Sequence, residues 1–231
     1  MKQKQIVVPT KGVESWKELL ADPEKHWKAG YSAQNAAYSW ENANGVPDEI
    51  IRVLKQSGSE AFQSASLALA IPEYAVDLAG GSHPSQNDVF AILSGPNGLI
   101  TMMVEAKGTE DFDITVGEWK TRTSDAGATE RMADISSHIG LEDDIPGSIR
   151  YQLLHRTASS VIEAKRFHAS FAVMVVQSFE PDDSRNHFGD FLDFVALYGR
   201  EAHKDSLIEL TTVQGVRLFA AWVQSAHVSA G

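Results

Sequence analysis

The sequence contains no cysteine, which excludes disulfides, thiolate metal sites and a cysteine nucleophile, and suits a reducing cytoplasm. No stretch approaches the ~20 apolar residues that a membrane-spanning helix needs. The N-terminal MKQKQIVVPTKG has basic residues but lacks the apolar run of a signal peptide. A cytoplasmic protein without a membrane partner is therefore expected. Positive charge is also scarce: 20 Lys and Arg stand against 31 Asp and Glu, for a net charge of −11. That balance argues against gripping a long stretch of nucleic acid by its phosphates. The sequence has no G-x-S-x-G elbow, no G-x-x-x-x-G-K-[ST] loop, no G-x-G-x-x-G fingerprint and no H-E-x-x-H pair. Its eight histidines are scattered, and His83 and His155 read as surface or packing residues.

What is present is a chain of 231 residues, 43% hydrophobic, long enough to bury a sizeable core. It reads as one structural domain, with residues 1–58 as a helical N-terminal decoration and 59–231 as an α/β core. The organising stretch is Ser85–Lys107, SQNDVFAILSGPNGLITMMVEAK, two apolar strands around a Gly-Pro-Asn-Gly turn. Residues two apart share a strand face, so Glu105 and Lys107 project together. A two- or four-residue loop would pair Ser94 with Leu99 and set Asp88 opposite Glu105. A three-residue loop would turn Asp88 to the other face unless a second bulge restored it. Two carboxylates supply the hard oxygen donors that Mg2+ prefers, and leave positions for water and phosphate. The bland alternative is an edge-of-sheet salt bridge between Lys107 and the acids.

Around this hairpin the pattern predicts short helices over Val13–Leu20 and Pro23–Lys28, then helices over Tyr31–Asn42, with Ser32 as cap, and Pro47–Gln56. Glu60–Ala70, rich in alanine and leucine, reads as the first helix of the core. Glu73–Leu78 reads as the first strand, with Glu73 and Asp77 on one face. Helical pieces follow at Thr115–Thr121 and Ala128–Gly140, with Phe112 and Trp119 over the mouth of the sheet. A long helix spans Ser148–Phe167, with Leu154, Ala158, Val161 and Ile162 inward and Gln152, Arg156 and Glu163 on the opposite face. Its Arg150, Arg156, Lys165 and Arg166 outnumber its one acid, Glu163, making it locally basic or simply a solvated face. Phe171–Phe179 reads as a central strand buried on both sides, Pro181–Ser184 as a loop and Asn186–Tyr198 as a helix. Leu207–Val213 and Val216–Gln224 read as two more strands, with a frayed tail at Ser225–Gly231.

Asp88 followed by Glu105-Ala106-Lys107 resembles the Asp…Glu-x-Lys signature of the PD-(D/E)XK nuclease superfamily, with Asn87 where the signature has proline. The blocks YSAQNAAYSWE, IPEYAVDLAGG, SQNDVF, VEAKGTEDF, RYQLLHRTASSVIEAKRF and AVMVVQSF, between Tyr31 and Phe179, are similar to an uncharacterised bacterial family within it. The resemblance implies an α/β, restriction-endonuclease-like core: helix, three antiparallel strands, helix, strand, here with N-terminal helices and extra C-terminal strands. It implies Mg2+ or Mn2+ held by Asp88, Glu105 and the Ala106 backbone carbonyl; on the neighbouring strand, either Glu73 or Asp77 is a candidate further donor, or simply part of a solvated strand end. Lys107 would orient the attacking water, and Gln152 and Arg156 would approach a nucleic-acid phosphate. Superfamily members often carry another metal-site glutamate on a helix before the sheet. Glu41 occupies such a place and reads equally as an ordinary surface acid. The implied activity is metal-dependent phosphodiester hydrolysis of nucleic acid; the alternative is a non-catalytic interaction or scaffold protein on the same fold. The sequence leaves the oligomeric state open.

Overall fold

A computed structural model describes residues 10–227, except 29, 44, 82, 124–125, 143 and 181–185. The loop expected at Pro181–Ser184 and the last four residues of the expected frayed tail lie outside the described residues. Ser225, at the start of that tail, is buried and accepts a hydrogen bond from Gln177 Nε2 at 3.1 Å.

Six strands form one sheet: β1 (Ser66–Val76), β2 (Ser85–Gly95), β3 (Gly98–Lys107), β4 (Phe171–Ser178), β5 (Ser206–Val213) and β6 (Val216–Gln224), in the order β1-β2-β3-β4-β6-β5. Strand β2 runs antiparallel to both β1 and β3, β4 lies parallel to both β3 and β6, and β5 returns antiparallel on the far edge. All eight residues of β4 are buried, as a parallel strand covered on both faces requires. The central hairpin closes through Pro96-Asn97, with Gly95 paired to Gly98 and Ser94 to Leu99. Gly98, at φ 118°, takes the backbone conformation there that a side chain would resist.

The start of the core departs from the sequence expectation. Only Glu60–Gln63 is helical (α4), and from Ser66 the chain is strand β1, so the expected helix Glu60–Ala70 and the expected strand start at Glu73 are both corrected. Alanine and leucine have high helix propensity, which is a weak prior. Pairing with β2 selects the strand instead: Leu67 and Ala70 pack into one core and Leu69 and Ile71 on the other face, with the register shifting between Leu67 and Leu69. Pro72 is tolerated because β1 is an edge strand.

Helices cover both faces of the sheet. On one side α2 (Ser32–Asn42), α3 (Asp48–Gln56) and α4 place Trp40, Ile50, Leu54 and Phe62 against Leu93, Met102, Val173 and Phe219. A 3-10 turn (Val13–Leu19) and the short α1 (Pro23–His26) precede them. On the other side lie α5 (Val116–Arg122), α6 (Ala126–Ile139), α7 (Tyr151–Arg166) and α8 (His187–Ala196), over Met174, Val176, Ala220 and Trp222. A capping box between Thr115 and Glu118 starts α5.

Helix α7 is buried nearly all round rather than on one stripe. Arg156 and Glu163, on its polar face, are 7% and 0% exposed. Burial is tolerated because the small polar residues bond back to their own helix: Thr157 Oγ1 to the Leu153 carbonyl at 2.7 Å and Ser159 Oγ to the His155 carbonyl at 2.8 Å. Only Lys165 and Arg166, in the last turn, remain as its exposed cations. Among the described residues no helix is long and apolar enough to cross a membrane.

Candidate functional site

The site forms where β2 separates from β3. Their pairing ends at Val89 opposite Val104, and its continuation sets Asp88 opposite Glu105. Beyond that point Asp88 Oδ2 accepts the backbone N–H of Ala106 at 2.6 Å, so a carboxylate takes the place of a strand partner. Glu105 and Lys107 share the face toward α7, with Lys107 Nζ 3.0 Å from Glu105 Oε1 and the two side chains 5% and 3% exposed. The register that the turn had to supply is thus present.

Helix α7 aims two residues one turn apart at this pair. Gln152 donates through Nε2 to Glu105 Oε1 at 2.7 Å and accepts from Lys107 Nζ at 2.9 Å through its own Oε1. Arg156 Nε donates to Glu105 Oε2 at 2.6 Å. The Lys107 ammonium also stands 4.7 Å from the centre of the Phe112 ring, which covers this end of the sheet as the sequence suggested. Behind Arg156, its Nη1 reaches Ser85 Oγ at 3.1 Å, and Ser85 Oγ lies 2.8 Å from His155 Nδ1.

Glu73 joins from β1. The register is unbroken from the Pro72–Val89 pair to the Tyr74–Asn87 pair, which sets Glu73 opposite Asp88, and its φ of 51° is a local departure from strand geometry. Gln86 Nε2 donates to the Glu73 carbonyl at 2.6 Å and lies 3.3 Å from its Oε2. Burial pushes the Glu73 carboxyl up to about 7, with Gln86 and Arg156 opposing and Glu105 reinforcing the shift. Burial and repulsion from Glu105 and Glu73 raise Asp88 well above the usual carboxylate range. Burial also works against ionising Glu105, but Lys107 and Arg156 overcome it and hold that carboxyl below its usual value. His155 is driven well below the ordinary histidine value by burial and by Arg156, Arg131 and Lys107, so its imidazole is neutral at pH 7. The cluster therefore holds one carboxylate favoured as the ion and two whose proton affinity is raised.

These groups line an open cleft of 750 Å3 whose outer wall includes Lys25 and Lys28 from the N-terminal segment. Glu73, Asp88 and Glu105 form an all-oxygen donor set of the type hard divalent cations take. The burial and carboxylate repulsion that raise Glu73 and Asp88 are what a bound cation would offset. In donor chemistry the residues fit such an ion. Among the described residues, however, no group of three or more His, Asp or Glu is drawn together as a ready cation cage. Arg156, Gln152 and Lys107 hold the Glu105 oxygens instead.

The structure thus brings together Asp88, Glu105, Lys107, Gln152, Arg156 and Glu73 of the sequence candidates. Ala106 enters through its amide, on Asp88. Asp77 lies past the end of β1 on the exposed surface. Glu41 accepts from Trp16 Nε1 at 2.8 Å, and Ser32, expected as a cap, instead donates its N–H to Glu110 at 3.2 Å. Sequence reasoning missed Ser85, Gln86 and Arg131. Arg131 carried a legible signal, because it shares the buried stripe of α6 with Ala128, Met132, Ile135 and Ile139.

Residues 9–227 match the family described as "Domain of unknown function (DUF6946)", and the chain belongs to that family. No curated protein and no solved structure matches the chain.

Proposed function

We propose that this member of the DUF6946 family is a divalent-metal-dependent phosphodiester hydrolase of the PD-(D/E)XK type, acting on nucleic acid in the cytoplasm. The observation that carries the reading is Asp88 opposite Glu105, with Lys107 two residues along the same face and Gln152 and Arg156 delivered by α7. The order of elements supports it: three antiparallel strands, helix α7, then β4 parallel to β3, the succession of a restriction-endonuclease-like core.

Asp88 and Glu105 would hold Mg2+ or Mn2+, with Glu73 and the Ala106 carbonyl as further oxygen donors. When bound, the ion would supply stabilisation of charge on the phosphate and a lowered pKa for its water. Lys107, fixed by Gln152 and Phe112, orients the water for in-line attack. Water oxygen bonds to phosphorus, the bond from phosphorus to the leaving sugar oxygen breaks, and the water proton passes to solvent while the leaving oxygen takes one up. Gln152 and Arg156 steady the neighbouring phosphate from α7. The net charge of −11 opposes nucleic-acid binding over the whole surface, and the cleft itself sets Lys25, Lys28, Lys107 and Arg156 against six acids, so a bound cation is needed to make it attractive to a phosphate.

One observation favours the second reading, a non-catalytic scaffold. Both Glu105 oxygens are already satisfied by Lys107, Gln152 and Arg156, as in a structural ion-pair network. Incubating the purified protein with single-stranded, duplex and structured DNA and RNA, in Mg2+, Mn2+ or chelator, separates the two. Cleavage that requires metal supports hydrolysis; intact substrates throughout favour the scaffold.

A further inference from the structure

A second cleft, of 520 Å3, adjoins the first and shares Gln86, Asp113, Gln152 and Arg156 with it. Its character differs. The first cleft gathers carboxylates, whereas Asp113 is the one acid among the residues lining the second, against Arg131 and Arg156. Arg131 is 8% exposed, and Nε donates to Tyr151 OH at 2.8 Å. Among the described residues no carboxylate pairs with it, which is unusual for a buried guanidinium.

The surroundings hold that guanidinium at the cleft wall. Gly80, at φ 70°, packs so tightly on the Gly127 carbonyl and the start of α6 that a Cβ has no room, and a Cβ at Gly81 would lie 2.9 Å from Arg131 Nη1. Tyr151, which fixes Nε, is stacked on Trp119 with centroids 4.6 Å apart and planes within 11°. The cleft thus offers a fixed cationic fork with donors to spare and an aromatic pair beside it. That combination recognises a phosphate attached to a planar ring.

We propose that this second cleft is a nucleotide subsite: Arg131, with Arg156 at the shared wall, takes a phosphate of an unpaired strand, and its base lies against the Trp119–Tyr151 pair. The inference rests on the nucleic-acid reading above and extends it, since the shared wall places the subsite beside the reacting phosphate. Arg131 is a binding residue here, and Trp119 selects for the base.

The test is calorimetric titration of adenosine 5′-monophosphate, adenosine and inorganic phosphate into the full chain without metal. Adenosine monophosphate is expected to bind wild type, and Arg131→Gln to weaken it by about ten-fold or more, the loss of a charged hydrogen-bonding group. Trp119→Leu should weaken the nucleotide while leaving inorganic phosphate unchanged. Arg131→Lys, which keeps the charge but loses the fork, serves if the glutamine variant does not fold, and should weaken the nucleotide as well. Equal nucleotide affinity in wild type and the Arg131 variant, or no binding to wild type, overturns the subsite. Metal-dependent cleavage unaffected by the Arg131 variant would remove the subsite and leave the hydrolase. Arg131-dependent nucleotide binding with no cleavage of any nucleic acid would do the reverse.

Discussion

Arg156 Nε and Glu105 Oε2 are 2.6 Å apart, with the two side chains 9% and 3% exposed. Removing the guanidinium leaves Glu105 Oε2 without its partner in a low-dielectric setting, while Lys107 and Gln152 stay on Oε1. Arg156→Ala is therefore expected to cost about 1–3 kcal/mol of folding stability, measured by urea denaturation. A loss below about 1 kcal/mol, the value of a surface pair, would mean that Glu105 gains little from it.

The sheet reached from the N-terminal helices predicts a second cost. Trp40 is 2% exposed and donates Nε1 to Gln177 Oε1 on β4 at 3.2 Å. Trp40→Ala should lower stability by about 3–5 kcal/mol through cavity formation and the orphaned amide. A small change in unfolding midpoint would mean that the N-terminal segment is a dispensable cover.

Legibility in the sequence followed how local each determinant is. Asp88, Glu105 and Lys107 could be placed together because a two-residue turn fixes a hairpin register and strand faces alternate. Gln152 and Arg156, 45 or more positions along, came only through the family resemblance; no spacing rule connects a helix face to a strand end that distant. The Glu60–Ala70 helix failed where local propensity and tertiary pairing disagreed, and pairing with β2 won. Arg131 was legible as an arginine within the apolar stripe of α6, but what it faces was not, because the Gly80-Gly81 loop that packs on it is some fifty positions away in the chain.

Glu73 gives a dependence on pH. Its carboxyl is raised from 4.5 to about 7, so between those values the folded state binds more protons than the unfolded chain. Stability from this group is complete below pH 4.5 and falls as pH rises through 7; Asp88 shifts in the same direction. Glu73→Gln should flatten the pH profile of thermal unfolding and be more stable than wild type at pH 8 by about 2 kcal/mol, allowing for partial exposure. A wild-type profile level from pH 5 to 8 would contradict the crowding of these carboxylates.

The same carboxylates predict how a cation binds. Mg2+ or Mn2+ must displace the proton from Glu73, whose carboxyl is raised to about 7, so binding at pH 6.5 should release protons, and fewer at pH 8.5. Asp88→Ala should bind at least about ten-fold more weakly by calorimetry. Equal affinities would leave the cluster as a buried ion-pair network.

The most direct measurement is nucleic-acid cleavage by wild type and Lys107→Ala, at equal folded concentration, across DNA and RNA of single-stranded, duplex and structured form, with Mg2+, Mn2+ or chelator. The account predicts cleavage in metal, none in chelator, and a rate reduced by about 100-fold or more in the variant, the scale of a positioned group in proton transfer. Undiminished cleavage by Lys107→Ala would contradict the role given to Lys107, and intact substrates in every condition would contradict the hydrolase itself.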